Sequence, residues 1–198
     1  MFNSFTISGL IKYDDTLVNS DYKLINLTKD YKNIPKTSIN NYYNINSMNM
    51  DTKFDNEDLV CIEFKTTIDG NEYFNRIYTI VDFENNVINI SSKLLSNWDY
   101  KTTITTTKKK AGSYSLLLNT TLYQKFYIEV YYKYKEFTIV DRFFIDKQTL
   151  DINFNYNGEY KIRAYAISNE RLLSYDETIL QVNDITNSKS NRRYIEWE

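Results

Sequence analysis

"NGEYKIRAYAI", residues 157–167, is the stretch whose reading decides the fold. Tyr160, Ile162, Ala164 and Ala166 fall on one face of an extended chain, and Glu159, Lys161, Arg163 and Tyr165 on the other. A period of two, with one apolar and one mixed face, is what a half-buried antiparallel strand requires. "FYIEVYY", residues 126–132, repeats the pattern: Phe126, Ile128 and Val130 point one way, Tyr127, Glu129 and Tyr131 the other.

Outward from these two segments, runs at 113–118, 137–145, 150–154 and 178–182 predict further short strands. In the first half, "LVCIEFKTT" and "NEYFNRIYTIV" flank Asp69-Gly70. That dipeptide accepts two positive φ angles and predicts a type I′ hairpin turn. Strand-like runs follow at 87–90 and 99–106. Strands this short and closely spaced, with no sustained helical period, predict an all-β protein of sandwich type.

The two halves also share a pattern. "YTIVD" (78–82) and "FTIVD" (137–141) follow "CIEF" and "YIEV" and precede "NWDYKTTIT" and "NGEYKIRAY", in one order and at similar spacing after the pentapeptide. This predicts a duplication in which Tyr78 matches Phe137 and Tyr100 matches Tyr160. "TTTKKKAGS", residues 105–113, interrupts the apolar pattern with a basic run and a glycine, and reads as the boundary. The expected organisation is a first β-sandwich at 1–107, a second at 112–184 and a C-terminal tail at 185–198. Residues 31–58 hold the only proline and no clean period, and read as an irregular insertion. Insertion and tail carry apolar groups outside any strand pattern: Ile34, Tyr42, Tyr43 and Met48 in one, Tyr194, Ile195 and Trp197 in the other. Leaving such side chains in water forfeits about 1.5–3 kcal/mol each. Tyr42, Tyr43, Tyr194 and Trp197 are therefore expected at interfaces with other chains.

Composition excludes many functions. The chain is 42% hydrophobic and 16% aromatic, enough to fill folded cores. It contains no histidine, which removes Ser-His-Asp triads, Cys-His pairs and His-bearing metal sites. The single Cys61 cannot form an internal disulfide, and its place in an apolar strand marks it as core. Four scattered glycines leave no phosphate loop or dinucleotide fingerprint. The 26 acidic residues single out no carboxylate pair for glycoside hydrolysis. "SDYK", residues 20–23, has Ser-x-x-Lys spacing without its companion motifs. Neither enzyme activity nor a cofactor or metal is expected. A net charge of −2 points to no nucleic acid and no anionic membrane surface, and Lys108, Lys109 and Lys110 read as a solvated linker. The opening "MFNSFTISGLIKYDD" lacks the basic and apolar regions of a signal peptide, and no eighteen apolar residues run together. Tyr127, Tyr131 and Tyr165, on outer faces, offer rings for sugar stacking or for interface anchors.

"LDINFNYNGEYKIRAYAISNERLLSYDETILQV", residues 150–182, resembles the closing hairpin of an immunoglobulin-like or fibronectin-type sandwich. In those folds a Gly-x-Tyr precedes an alternating strand, and Gly158 and Tyr160 hold these places. The resemblance implies a corner closed by a Tyr160 hydroxyl bonded to backbone, and a chain of two tandem immunoglobulin-like antiparallel sandwiches. The first half has Trp98 where Gly158 stands, so a corner at Tyr100 cannot be built in the same way. In domain type, size, AT-rich codon bias and lack of catalytic equipment, the chain is also similar to tandem sandwich subunits of tailed-phage virions, particularly those of crAss-like phages. That implies a non-enzymatic neck or tail component, assembled in the host cytoplasm as a symmetric ring of identical copies beside other virion proteins. The alternative is a β-sandwich module that binds carbohydrate or a host surface.

Overall fold

The computed structural model describes residues 4–32, 36–49 and 54–186, together with the backbone of 195–197. Almost all of its regular structure is strand. One 3₁₀ turn lies at Ser47–Asn49, and no α-helix occurs among the described residues. The chain divides into two compact units, Met1–Asp99 and Tyr100–Glu198.

The first unit contains β1 (Thr6–Tyr13), β2 (Thr16–Leu17), β3 (Asp21–Asn26), β4 (Tyr31–Lys32), β5 (Lys36–Thr37), β6 (Tyr42–Asn46), β7 (Leu59–Ile68), β8 (Asn71–Ile80), β9 (Val87–Asn89) and β10 (Ser92–Lys93). β1 pairs antiparallel with β2 and β6 and parallel with β9 and β10. β3 pairs antiparallel with β4, β5 and β7, and β7 continues to β8. Alternation selects the side chains that meet between the two sets. Ile7 and Ile11 of β1 and Tyr43 and Ile45 of β6 join Tyr22, Leu24, Ile62 and Phe64 in one buried cluster. Gly9 lies between Ile7 and Ile11, and a Cβ there would sit 2.0 Å from the Ile90 carbonyl oxygen. Only glycine admits that approach.

Tight hairpins set the registers. Asp14-Asp15, Asn40-Asn41, Asp69-Gly70 and Asn169-Glu170 each hold two successive positive φ angles, the backbone whose twist matches the strands on either side.

The second unit contains β11 (Thr102–Lys110), β12 (Ser113–Thr120), β13 (Lys125–Lys133), β14 (Phe137–Ile145), β15 (Thr149–Phe154), β16 (Gly158–Ser168), β17 (Arg171–Val182) and β18 (Ile195–Trp197). β11, β12, β15 and β18 form one antiparallel series, and β14, β13, β16 and β17 form another. Leu116, Leu118, Leu150 and Ile152 from the first meet Phe126, Ile128, Val130 and Ile162 from the second in a single core. Tyr160, at the start of β16, is 0% exposed. Its hydroxyl donates to the Tyr156 carbonyl at 3.1 Å, and its ring lies 4.2 Å from that of Phe154. Gly158 has φ 150°, and a Cβ there would fall 2.5 Å from the Tyr132 ring, so the chain enters this corner only as glycine.

Several expectations change. Residues 105–113 are not a linker: they span most of β11 and the turn into β12. Two of their lysines are held by ion pairs, Lys108 with Asp184 and Lys109 with Asp151. Residues 31–58 are not wholly irregular, because β6 alternates Tyr43 and Ile45 inward against Asn44 outward. Within the expected tail, β18 pairs with β15 and places Trp197 opposite Ile152. Ile34 and Tyr194 lie outside the described residues.

The predicted duplication also fails. Tyr78 lies near the end of β8, whereas Phe137 begins β14. β7 takes the earlier β3 as its second partner, but β13 takes the later β16. Tyr100 is half-buried and outside any strand. Shared residue preferences of half-buried strands account for the likeness.

Replacing Tyr160 by Phe removes one net hydrogen bond and is expected to cost about 0.5–1.5 kcal/mol. Replacement by Ala also leaves a cavity and is expected to cost about 3–5 kcal/mol. Denaturant titration of the two variants measures the difference, and a Phe variant as stable as the native chain would separate the corner from its hydroxyl.

Candidate functional site

The chain leaves β5 at Thr37 and returns into β6 through Ile39, Asn40, Asn41 and Tyr42. Ile39 N–H donates to the Tyr42 carbonyl at 3.2 Å and Tyr42 N–H to the Ile39 carbonyl at 3.0 Å. Between them Asn40 and Asn41 take φ 51° and 62°, values asparagine tolerates better than other residues bearing a Cβ. Asn19 fixes the hairpin, its Oδ1 accepting from Asn41 N–H at 2.8 Å and from the Ser38 hydroxyl at 3.3 Å. Ser38 N–H donates to the Ser20 carbonyl, and Ser20 N–H to Ser38 Oγ, both at 2.9 Å.

This turn projects two large side chains into water: Ile39 is 77% exposed and Tyr42 is 42% exposed. They flank a depression of about 430 Å³ lined also by Tyr22, Thr37, Asn40 and Asn44. The Tyr22 hydroxyl donates to the Asn44 carbonyl at 3.2 Å and closes the floor. One aromatic platform, one aliphatic wall, and amides that both donate and accept form the resulting surface. It can hold a ligand with an apolar face and several hydroxyls. Among the described residues, no group of His, Cys, Asp and Glu is arranged to hold a metal ion.

The predicted site residues separate. Tyr42 lies at the groove, but Tyr43 is fully buried, its hydroxyl donating to the Ile90 carbonyl at 2.5 Å. Neighbours on a strand face opposite ways, so exposure of one directs the other inward. Tyr43 is therefore a core residue and not an interface anchor. Asp69 and Gly70 form the turn between β7 and β8, and Gly158 and Tyr160 form the corner already described. Asn40, Asn41, Asn44, Thr37 and Tyr22 belong to no sequence motif, and "NN" before an alternating "YYNIN" is the one local signal they carry.

Tyr127, Tyr131 and Tyr165 do face away from the second unit's core, but they are buried rather than open to sugar. Phe144, Tyr127, Tyr165 and Tyr175 stand directly opposite one another across four strands, with adjacent ring centroids 4.8, 6.2 and 5.3 Å apart. Arg142, Glu129, Arg163 and Glu177 form the next rung. Glu129 is 0% exposed, and its carboxylate accepts from the Tyr131 and Tyr165 hydroxyls at 2.7 and 2.8 Å. Burial, and then the Glu129 charge, pushes both phenols above their ordinary range, so they remain donors. Tyr127, Tyr131, Tyr165 and Glu129 are sealed within this cluster, while Phe144 and Tyr175 at the two ends of the ring row are 43% and 48% exposed.

No family model and no curated protein matches the sequence. Among solved structures, the chain is similar to DUF3823 family proteins from Parabacteroides merdae (9% identity, TM-score 0.32, covering 91% of this chain and 98% of that one) and Bacteroides ovatus (11%, 0.34, 91% and 100%). A further match is a Bacteroides uniformis protein provisionally described as carbohydrate-binding (13%, 0.30, 89% and 98%). Identity and superposition are too low to transfer fold or function.

The thiol of Cys61 is fully buried, and desolvation pushes its pKa up to about 12 from 9.0. Burial disfavours the thiolate, so this group's contribution to stability is complete below pH 9.0 and is lost as the pH rises through about 12. Iodoacetamide at about pH 8 should leave the native protein unmodified and alkylate Cys61 only after denaturation. Rapid native labelling read by mass spectrometry would overturn the buried assignment.

Proposed function

We propose that the chain is a non-enzymatic binding module of two tandem β-sandwiches, which recognises carbohydrate at the Tyr42 groove of its first unit. The second unit's strand order, with the Tyr160 corner, supports an immunoglobulin-like reading of that unit. The first unit, with β1 parallel to β9 and β10, follows a different strand plan.

One observation carries the functional reading: an exposed tyrosine ring stands beside Asn40 and Asn44 on a turn that is hydrogen-bonded in place before any ligand arrives. A pyranose has C–H-rich faces suited to an aromatic ring and hydroxyls suited to amides that donate and accept. Because the turn is fixed by Asn19 and Ser38, little ordering is left to oppose binding. Virion assembly and the ring of identical copies rest on composition and domain type, and no feature of the groove favours them over this reading.

Glycan-array screening of the full chain, followed by calorimetry on the best sugar, tests the proposal. Tyr42→Ala should weaken binding roughly five- to thirtyfold, the loss expected for an aromatic anchor, with thermal stability nearly unchanged. Unaltered affinity would remove Tyr42 from the site. A chain that binds no glycan but sediments as a defined ring would restore the assembly reading.

A further inference from the structure

The Tyr42 depression is one of three that share walls. Thr37 lines both it and a second depression of about 380 Å³, which is bordered by Asn19, Ser20, Asp21, Lys65, Thr66 and Thr67. Asp21 and Lys65 are common to the second and a smaller third of about 160 Å³. Either of the larger volumes is of the size that takes one small ligand. Together they form a path across β5, β3 and β7.

The chemistry changes along that path. At the Tyr42 end stand a ring, an aliphatic side chain and amides; at the far end stands the exposed Thr67, beside Thr37 and Thr66, whose hydroxyls donate to Asp21 and to the Asn19 carbonyl, and with a buried Ser20 whose hydroxyl donates to the Asp21 and Lys65 carbonyls. The charged groups in between are matched internally. Glu63 pairs with Lys23 at 2.6 Å and with Arg76 at 3.0 Å. Burial would raise the Glu63 carboxyl, but these two cations outweigh it and hold the group below its usual range. Lys65 pairs with Glu72, and Asp21 accepts from the Thr37 hydroxyl at 2.6 Å. An acidic ligand therefore meets no unmatched cation along these walls. A peptide would need apolar pockets at successive side chains, and Ile39 and Tyr42 supply them at one end only. The walls are also fixed, since β5 is tied to β3 opposite Asp21 and Tyr22.

We infer that the groove is a multi-subsite cleft for a neutral oligosaccharide, with one sugar stacked at Tyr42 and further units crossing Thr37 toward Thr67. The inference rests on the carbohydrate reading of Tyr42 and adds to it an extended ligand and a far subsite.

The test is titration calorimetry of the full chain with cello-, malto- and manno-oligosaccharides, each from monosaccharide to pentasaccharide. Affinity should rise several-fold with length in the series that binds and then level off. Thr67→Val, at an exposed position, should weaken the longer sugars roughly two- to tenfold, the loss of one hydrogen bond, and leave the monosaccharide unaffected. Tyr42→Ala should weaken every length. Equal affinity for monosaccharide and pentasaccharide, or a Thr67→Val effect independent of length, would overturn the far subsite while leaving the Tyr42 reading intact. No binding in any series would overturn both, and an extended peptide that competes for the groove would replace the sugar with another class of ligand.

Discussion

The Tyr43 ring is sealed in the core of the first unit, with its hydroxyl on the Ile90 carbonyl and its centroid 4.9 Å from that of Phe64 in a T-shaped contact. Much of that unit's order follows from this seating. The hydrogen bond ties β6 to the segment between β9 and β10, and the ring contact ties it to β7. β1 must then pass close beneath, which only Gly9 permits. Since a strand alternates, an inward Tyr43 requires an outward Tyr42, so a core contact determines what the groove displays. The asparagine turn ahead of them keeps the register, because a slip of one residue would exchange the two tyrosines.

The features legible in the sequence were those encoded locally. Gly158 and Tyr160 are two residues apart and make their corner with Tyr156, only four positions from Tyr160. Asp69-Gly70 announces its turn because glycine at positive φ is a strong signal. Asn40-Asn41 makes the same turn without glycine, in a chain so rich in asparagine that the pair did not stand out. β6 was hidden for a related reason: its polar face is asparagine, and five residues are short for a periodic pattern. β17 shows the reverse problem, since its predicted run starts at residue 178 although the strand begins at Arg171.

Period alone placed Tyr127, Tyr131 and Tyr165 on the correct side of their sheet, yet said nothing about cover. Exposure there depends on what stands opposite on neighbouring strands, and those registers join residues far apart in sequence. Phe144 and Tyr175 flank the inner two rings, and the arginines flank Glu129. Cross-strand pairs of this kind stabilise a sheet, and here Tyr127, Tyr131, Glu129 and Tyr165 on the two central strands are buried while Phe144 and Tyr175 on the outer two stay exposed. The duplication signal misled for the same physical reason: strands with similar burial draw on similar residues, whatever their connectivity.

The pairing of β18 with β15 has a consequence for how the protein is made. β15 already has β12 along one edge, and β18 reaches its other edge from much later in the chain. During synthesis β12 and β15 can pair while that second edge still offers unpaired backbone groups, the arrangement most prone to recruit a stray strand. Leu150 and Ile152 alternate with Asp151 and Asn153 along it, so two of its side chains remain polar while the edge waits. Translation speed through the last part of the chain would therefore set how long a nascent sheet stays open.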